Sequence, residues 1–156
     1  TITMWLMGSL ANVSYRDVLL CAAIEIPCLA VAMILRWKMN LLSLDQEEAR
    51  SLGINVKKLR LAVILIATIM TAVTVSVCGI IGWIGLVIPH IARLLIGNDH
   101  RTLIPASVLM GSIYLLLIDT AARAATAGEV PLSILTAMVG APFFAVILRK
   151  TSGGRE

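Results

Sequence analysis

The sequence predicts an all-α integral membrane protein with about five transmembrane helices and one short cytoplasmic helix. Three observations lead to this fold class. Apolar residues make up 59% of the 156 residues and charged residues only 14%. Soluble domains carry about a quarter charged residues, so this chain lacks the polar surface that water requires. The apolar residues fall into runs close to the ~20 residues that cross a bilayer as a helix, and one polar segment, residues 43–58, interrupts them.

The predicted spans follow one another along the chain with short polar connections. Residues 1–10 are too short to cross a bilayer and look like the end of a preceding apolar helix, which indicates a missing N-terminal part. We expect residues 1–156 to form a single transmembrane domain. The five predicted spans cover residues 18–37, 59–78, 80–96, 103–125 and 132–148.

The distribution of Lys and Arg predicts how the helices are oriented. Cytoplasmic loops of membrane proteins carry an excess of these residues. Only Arg16 and Arg123 lie on one set of helix ends, which places the loops at 12–17 and 127–131 outside. The polar segment, the turn at 98–102 and the C-terminus are then cytoplasmic. The cytoplasmic set is Arg36, Lys38, Arg50, Lys57, Lys58, Arg60, Arg93, Arg101, Arg149, Lys150 and Arg155.

The polar segment, residues 43–58, contains the signals of a short helix. Asp45 is a good N-cap, and Glu47 and Glu48 occupy the first turn, where acidic side chains are favoured. Gly53 is a natural C-terminal stop. The good helix formers between these positions are Ala49, Arg50 and Leu52. Two interpretations remain: an amphipathic helix that a soluble partner grips, or a solvated loop.

Glycine recurs every third residue at Gly79, Gly82 and Gly85, between the second and third predicted spans. Glycine lets backbones approach closely and permits a tight reversal inside a membrane protein. A nucleotide-binding loop has no support here, because no strand precedes the run. We therefore predict that these glycines serve packing and chain reversal.

Ionisable residues inside a membrane are costly and usually face protein or a water-filled path. Glu25 in the first span either lines such a path or pairs with a neighbouring helix. His90 follows Pro89, whose ring frees a backbone carbonyl, and Arg93 continues this motif towards the cytoplasm. We predict that His90 is a structural hydrogen-bonding residue rather than a metal ligand.

Asp119 and Arg123 are four residues apart near the outer end of the fourth span, so they share a helix face and can form an ion pair. Alternatively, the Arg123 guanidinium extends outwards and binds an external carboxylate. The sequence contains no spacing typical of a metal site, a nucleophile–base pair, a cofactor site or a nucleic-acid surface.

Six segments carry motifs in a characteristic order. They are Glu48-Ala49-Arg50-Ser51-Leu52-Gly53-Ile54, the run from Gly79 to Pro89-His90-Ile91-Ala92-Arg93, Gly97-Asn98-Asp99-His100-Arg101, Asp119-Thr120-Ala121-Ala122-Arg123, Glu129-Val130-Pro131-Leu132-Ser133 and Gly140-Ala141-Pro142-Phe143-Phe144. Together they resemble the FecCD-type permeases of ABC importers for iron-siderophores, haem and vitamin B12. The resemblance covers essentially the whole chain, and its first segment looks like the coupling motif of that family.

The resemblance implies the C-terminal half of a permease, helices six to ten of ten. Such permeases pair as homodimers in the lipid bilayer, with a cytoplasmic ATPase under each subunit. It also implies that Arg123 docks a glutamate of a solute-binding protein and that residues 43–58 form a coupling loop seated in the ATPase. The coupling residues that it implies are Asp45, Glu47, Glu48, Ala49, Arg50, Leu52, Gly53 and Ile54. The motif residues with a structural role are Gly79, Gly82, Gly85, Pro89, His90, Arg93 and Asp119.

The function that the resemblance implies is inward transport of an iron-siderophore, haem or cobalamin chelate across the inner membrane of a bacterium or archaeon. A separate ATPase subunit drives alternating access, so the chain is not an enzyme and needs no cofactor or nucleic-acid partner. Two alternatives remain. One is a truncated permease that folds without transporting, and the other is an intramembrane enzyme that uses His90 and Asp119.

Overall fold

The structure is a computed structural model that describes residues 2–125, 127 and 130–153. All regular structure in these residues is helical, which confirms the all-α prediction. The helices are α1 (Ile2–Leu6), α2 (Tyr15–Met39), α3 (Gln46–Ser51), α4 (Val56–Cys78), α5 (Ile84–Ile96), α6 (His100–Ala125) and α7 (Leu132–Ser152). A 3-10 turn, Asn40–Ser43, follows α2 directly. Glu129 of the family motifs and Arg155 of the predicted cytoplasmic set lie outside the described residues.

Within the described residues, four helices are long and apolar enough to cross a bilayer, and they confirm four of the predicted spans. These segments are Tyr15–Ser43, Val56–Cys78, His100–Ala125 and Leu132–Lys150. Even in the best covered of them, Leu132–Lys150, only 22% of the most apolar window is buried inside this chain. Most of their apolar side chains therefore face outwards, where lipid or another membrane helix can cover them.

The third predicted span is shorter than expected. The sequence predicts a helix over residues 80–96, whereas α5 begins at Ile84 and has 13 residues. At 1.5 Å per residue it is about 20 Å long, less than the ~30 Å hydrocarbon core of a bilayer. Residues 80–83 are not helical because the backbone leaves the helical region on both sides, with φ of +75° at Gly79 and +70° at Trp83.

Helix α2 begins at Tyr15, ahead of the predicted span, because Ser14 and Asp17 form a capping box. The Ser14 N–H donates to Asp17 Oδ2 over 3.0 Å, and the Asp17 N–H donates to Ser14 Oγ over 3.3 Å. This reciprocal pair satisfies backbone donors that the first turn of a helix leaves free. Hydropathy does not report such a cap, so the predicted span began too late.

The helices form one bundle in which α2 packs on α4 and α6, and α5 packs on α6 and α7. Helix α7 lies close to the start of α5 at Gly140. A Cβ added there would lie 3.1 Å from Trp83 Cβ and 3.2 Å from Val87 Cγ2. The Trp83 ring also meets Phe144 edge to face, with 6.4 Å between centroids. A larger residue at 140 would push these two helices apart.

Residues 7–9 join the end of α4 to the start of α7. The Ser9 N–H donates to the Cys78 carbonyl over 2.9 Å, and the Leu132 N–H donates to the Gly8 carbonyl over 3.0 Å. Gly8 has φ of +73°, and a Cβ added there would lie 2.6 Å from the Ile80 carbonyl oxygen. Glycine is required at this position by both conformation and space. We call this end of the bundle the far end.

The opposite end carries the polar segment, and we call it the loop end. There Asn40, in the turn after α2, contacts His100, the first residue of α6. Helix α4 runs from the loop end to the far end, and α6 starts again at the loop end. The turn at 98–102 therefore lies at the same end of the bundle as the polar segment.

Candidate functional site

The polar segment folds into one short helix held between two membrane-length helices. Leu44 is extended, Asp45 is the N-cap of α3 with ψ of 151°, and α3 has six residues. The Asp45 carbonyl accepts the Ala49 N–H over 3.0 Å. The predicted N-cap position is thus confirmed, but the Asp45 side chain makes no capping hydrogen bond.

The end of α3 is a Schellman motif, the common C-terminal stop of helices. The Ile54 N–H donates to the Ala49 carbonyl over 3.2 Å, and the Gly53 N–H donates to the Arg50 carbonyl over 3.0 Å. Gly53 has φ of +76°, the left-handed conformation that this motif needs. The predicted stop at Gly53 is confirmed. Asn55 then caps α4, because its Oδ1 accepts a hydrogen bond from the backbone N–H of Lys58, the third residue of that helix.

The short helix presents its acidic side chains to solvent and buries one small residue. Asp45, Glu47 and Glu48 are exposed, and none of them forms an ion pair or a side-chain hydrogen bond with a described residue. Ala49 is fully buried where α3 meets α4. Leu52 is 60% exposed beside the acids. The acidic side chains and the Leu52 side chain are therefore accessible on the surface of the polar segment.

An open recess of about 350 Å³ adjoins the polar segment. It lies between the end of α3 and the first turn of α4, and two basic side chains, Arg50 and Lys57, line it. The other lining residues are Gln46, Gly53, Ile54, Asn55 and Val56. The segment therefore offers an acidic face and an adjoining basic recess to the same side of the bundle.

Asp119 and Arg123 form the predicted ion pair near the last turn of α6. Arg123 Nε lies 2.9 Å from Asp119 Oδ2, and the Arg123 side chain remains 62% exposed. One nitrogen of the guanidinium is thus held by the helix, while much of the group stays open to solvent. Both predictions for Arg123 fit this geometry, because an Arg carries five N–H donors and this pair uses only one of them.

Glu25 is paired with a neighbouring helix. Its Oε1 accepts a hydrogen bond of 2.8 Å from Thr74 Oγ1 on α4. This contact favours the structural interpretation of Glu25 over a path-lining carboxylate. Because both residues lie within membrane-length helices, the bond also satisfies a polar group that lipid could not.

His90 does not make the hydrogen bond that the sequence predicts. Its Nε2 is buried without a hydrogen-bond partner among the described residues, so the prediction is wrong for this atom. The ring instead meets Phe144 edge to face, with 6.2 Å between centroids. Pro89 lies within α5 without ending it, and Arg93 is exposed in its last turn, where a positive charge is favourable.

The three predicted packing glycines differ in their surroundings. Gly79 ends α4 with φ of +75° and reverses the chain, as predicted. A Cβ on Gly82 would meet only Ser133 Oγ, at 3.9 Å, and a Cβ on Gly85 would meet no atom within 4 Å. The predicted close packing therefore does not form at Gly82 or Gly85 with any described residue. Close approaches occur instead at Gly8 and Gly140.

The predicted site residues form two separate groups rather than one site. The polar segment lies at the loop end, whereas Arg123 lies in the last turn of α6, which starts at the loop end and has 26 residues. Asp119 is bonded to Arg123 and not to His90, which argues against an active site made from those two residues. No group of three or more His, Cys, Asp or Glu side chains among the described residues could hold a metal ion.

A polar cluster that was not predicted from the sequence lies beside the polar segment. Asn40 Nδ2 donates to Asp99 Oδ1 over 2.7 Å, and Asn40 Oδ1 accepts the His100 N–H over 2.8 Å. The Arg101 N–H and then the Asn40 amide hold the pKa of Asp99 below its usual value. The signal available in the sequence was Asp99 itself, an N-cap residue directly before α6.

Known proteins match almost the full length of this chain. Residues 1–150 match the FecCD transport family. The chain is 42% identical over 154 residues to the molybdate import system permease protein MolB of Haemophilus influenzae, covering 99% of this chain and 46% of that protein. It is 39% identical over 150 residues to the hemin transport system permease protein HmuU of Yersinia pestis, covering 95% and 45%.

A cobalamin import system permease protein, BtuC of Halobacterium salinarum, is 41% identical over 145 residues, covering 93% of this chain and 39% of that protein. A solved structure of an inward-facing, metal-chelate type ABC transporter has a TM-score of 0.92 at 42% identity and covers 96% of this chain and 48% of that chain. The chain thus spans about half the length of the relatives it matches. With almost all of its length matched, the chain belongs to the FecCD transport family.

Proposed function

We propose that this chain is part of the permease subunit of an ABC importer and that residues 43–58 are the surface through which a cytoplasmic ATPase drives it. The observation that carries the proposal is the short helix α3, whose acidic side chains are exposed and unpaired although it joins two apolar helices of membrane length. A solvated loop would need neither the buried Ala49 nor the Schellman stop at Gly53.

The geometry of α3 suits a mechanical handle. Ala49 is buried against α4, and only the four residues 52–55, which include the Schellman motif, separate α3 from α4. A displacement of the exposed acidic side chains is therefore transmitted directly to α4 and to the end of α2. ATP-driven closure of the ATPase would move these helices between outward-open and inward-open arrangements.

The far end of the bundle is proposed to receive a solute-binding protein. Arg123 is held by Asp119 yet remains 62% exposed, so it offers a fixed positive charge to an external carboxylate. The excess of Lys and Arg at the loop end supports a cytoplasmic loop end and C-terminus, in the inner membrane. The outward apolar faces suit lipid, the remaining permease helices and a second permease copy.

The cargo is proposed to be a metal-containing anion or chelate. Relatives are named for molybdate, hemin and cobalamin import, a wider range than the iron-siderophore, haem and cobalamin class that the sequence motifs suggest. The described residues contain no metal-ligand cluster, which fits a permease that passes an intact complex instead of binding the bare metal. The binding protein outside would then select the cargo.

The test is co-purification, in mild detergent, of the complete permease with the ATPase encoded in its operon. We expect the wild-type permease to retain the ATPase and Glu48→Arg to lose it, because the substitution reverses a charge at the centre of the contact. Ser152→Arg is the matched control, since it adds an arginine at the exposed end of α7, outside the polar segment.

Equal retention by the wild type and Glu48→Arg would contradict a contact at Glu48, and no retention by the wild type would overturn the coupling role of residues 43–58. An uptake assay distinguishes an importer subunit from the remaining alternative, a truncated permease without transport activity. A truncated permease would retain the ATPase without moving cargo, whereas an importer subunit does both when the complete system is assembled.

A further inference from the structure

We propose that Asn40 is a positioning residue that joins the coupling surface to α6, the helix that carries Arg123, and so links events at the two ends of the bundle. The inference rests on the proposed function, because it assigns a route between the ATPase and the binding protein. It concerns a residue that lies outside every motif of the sequence analysis.

Asn40 makes three short polar contacts across 59 or 60 residues of sequence. Its Nδ2 donates to Asp99 Oδ1 over 2.7 Å. Its Oδ1 accepts the His100 backbone N–H over 2.8 Å and lies 2.7 Å from His100 Nδ1. An amide that donates on one side and accepts on the other recognises this turn in a single orientation.

A second contact connects the same two elements. Arg36, one turn earlier on α2, donates from Nη1 to the Arg101 carbonyl over 3.2 Å. Asp99 is also the N-cap of α6, because its Oδ1 accepts the Arg101 N–H over 3.0 Å and its carbonyl accepts the N–H of Leu103 over 2.9 Å. Asn40 thus binds Asp99, the residue that caps the start of α6.

The position of Asn40 gives this contact a mechanical meaning. It is the first residue of the turn Asn40–Ser43, which leads directly into the polar segment. On the other side of the contact, α6 continues for 26 residues, about 39 Å at 1.5 Å per residue, to the turn that holds Arg123. We therefore expect a displacement of the coupling surface to reach α6, the helix whose opposite end carries Arg123.

The experiment uses the complete importer, permease with ATPase, in proteoliposomes with the binding protein and its cargo. Three quantities are measured: retention of the ATPase, basal ATP hydrolysis, and its stimulation by the loaded binding protein. Asn40→Ala should keep retention and basal hydrolysis but lower the stimulation at least about fivefold, the lower range of coupling between sites. Asn40→Asp should lower it further, because two carboxylates then face each other.

Thr102→Ala is the matched control. Its hydroxyl donates to the Asp99 carbonyl over 3.2 Å, a bond at the start of α6 that does not reach α2. We expect its stimulation to equal that of the wild type. The double variant Asn40→Asp/Asp99→Asn restores one amide opposite one carboxylate and should recover part of the stimulation that Asn40→Asp loses.

Unchanged stimulation in both Asn40 variants would overturn the inference while leaving the proposed function intact, provided that the ATPase is retained. Failure of the wild-type importer to retain its ATPase would remove the proposed function instead. If Asn40→Ala does not assemble, the comparison of Asn40→Asp with the double variant decides. Recovery supports the link between α2 and α6, and no recovery overturns it.

Discussion

Replacing Gly53 by Ala should loosen the end of α3 by a free energy of about 1 kcal/mol, the cost of placing an L-residue in the left-handed region. Gly53 has φ of +76°, and a Cβ added there would meet no atom within 4 Å. The substitution therefore adds no steric clash, and its whole effect is the backbone conformation. The Schellman bonds of Gly53 and Ile54 depend on that conformation.

Amide hydrogen exchange of the permease in detergent measures this loosening without any partner. A cost of about 1 kcal/mol raises the opened population about fivefold, so the Gly53 and Ile54 amides should exchange about fivefold faster. Gly53→Asn should have a smaller effect, because Asn tolerates the left-handed region. The matched control is Gly153→Ala, since Gly153 also caps a helix and has open space but has φ of −72°.

Unchanged exchange in Gly53→Ala would refute the account of the stop. So would an equal acceleration in Gly153→Ala, because φ of −72° is open to alanine without cost. If α3 loosens as expected, the same variant should weaken retention of the ATPase while leaving the spanning helices as stable as in the wild type.

Two further substitutions test contacts at the far end and between spans. Gly8→Ala should lower the free energy of unfolding in detergent by more than about 1–2 kcal/mol, since it combines φ of +73° with a Cβ 2.6 Å from the Ile80 carbonyl oxygen. Gly85→Ala is the control and should leave the stability unchanged, because a Cβ added there meets no atom within 4 Å. Equal melting temperatures of the Gly8→Ala and Gly85→Ala variants would contradict this reasoning. Thr74→Val should lower the free energy of unfolding by about 1–3 kcal/mol, because it removes the hydroxyl that donates a hydrogen bond to Glu25. Glu25→Gln, which keeps an acceptor for Thr74, should cost less, and the reverse order would argue against that bond.

The sequence was sufficient for the features that depend on local composition. Long apolar runs identify a membrane helix wherever they occur, because lipid forces each span to satisfy its own backbone hydrogen bonds. Four of the five predicted spans are confirmed for this reason. Local signals in the sequence also indicated the short helix α3, because the N-cap at Asp45 and the stop at Gly53 both act within a few residues.

Contacts between distant residues were decided by the tertiary structure alone. Asn40 and Asp99 are 59 residues apart, and Glu25 and Thr74 are 49 apart, so no local pattern pairs them. The start of α5 also depended on its surroundings, because Trp83 takes φ of +70° where its side chain packs on Gly140. The composition of the sequence determined that this chain enters a membrane and where its spans begin and end. Packing decided which helix ends are joined, because hydropathy measures transfer to lipid and carries no information on neighbouring helices.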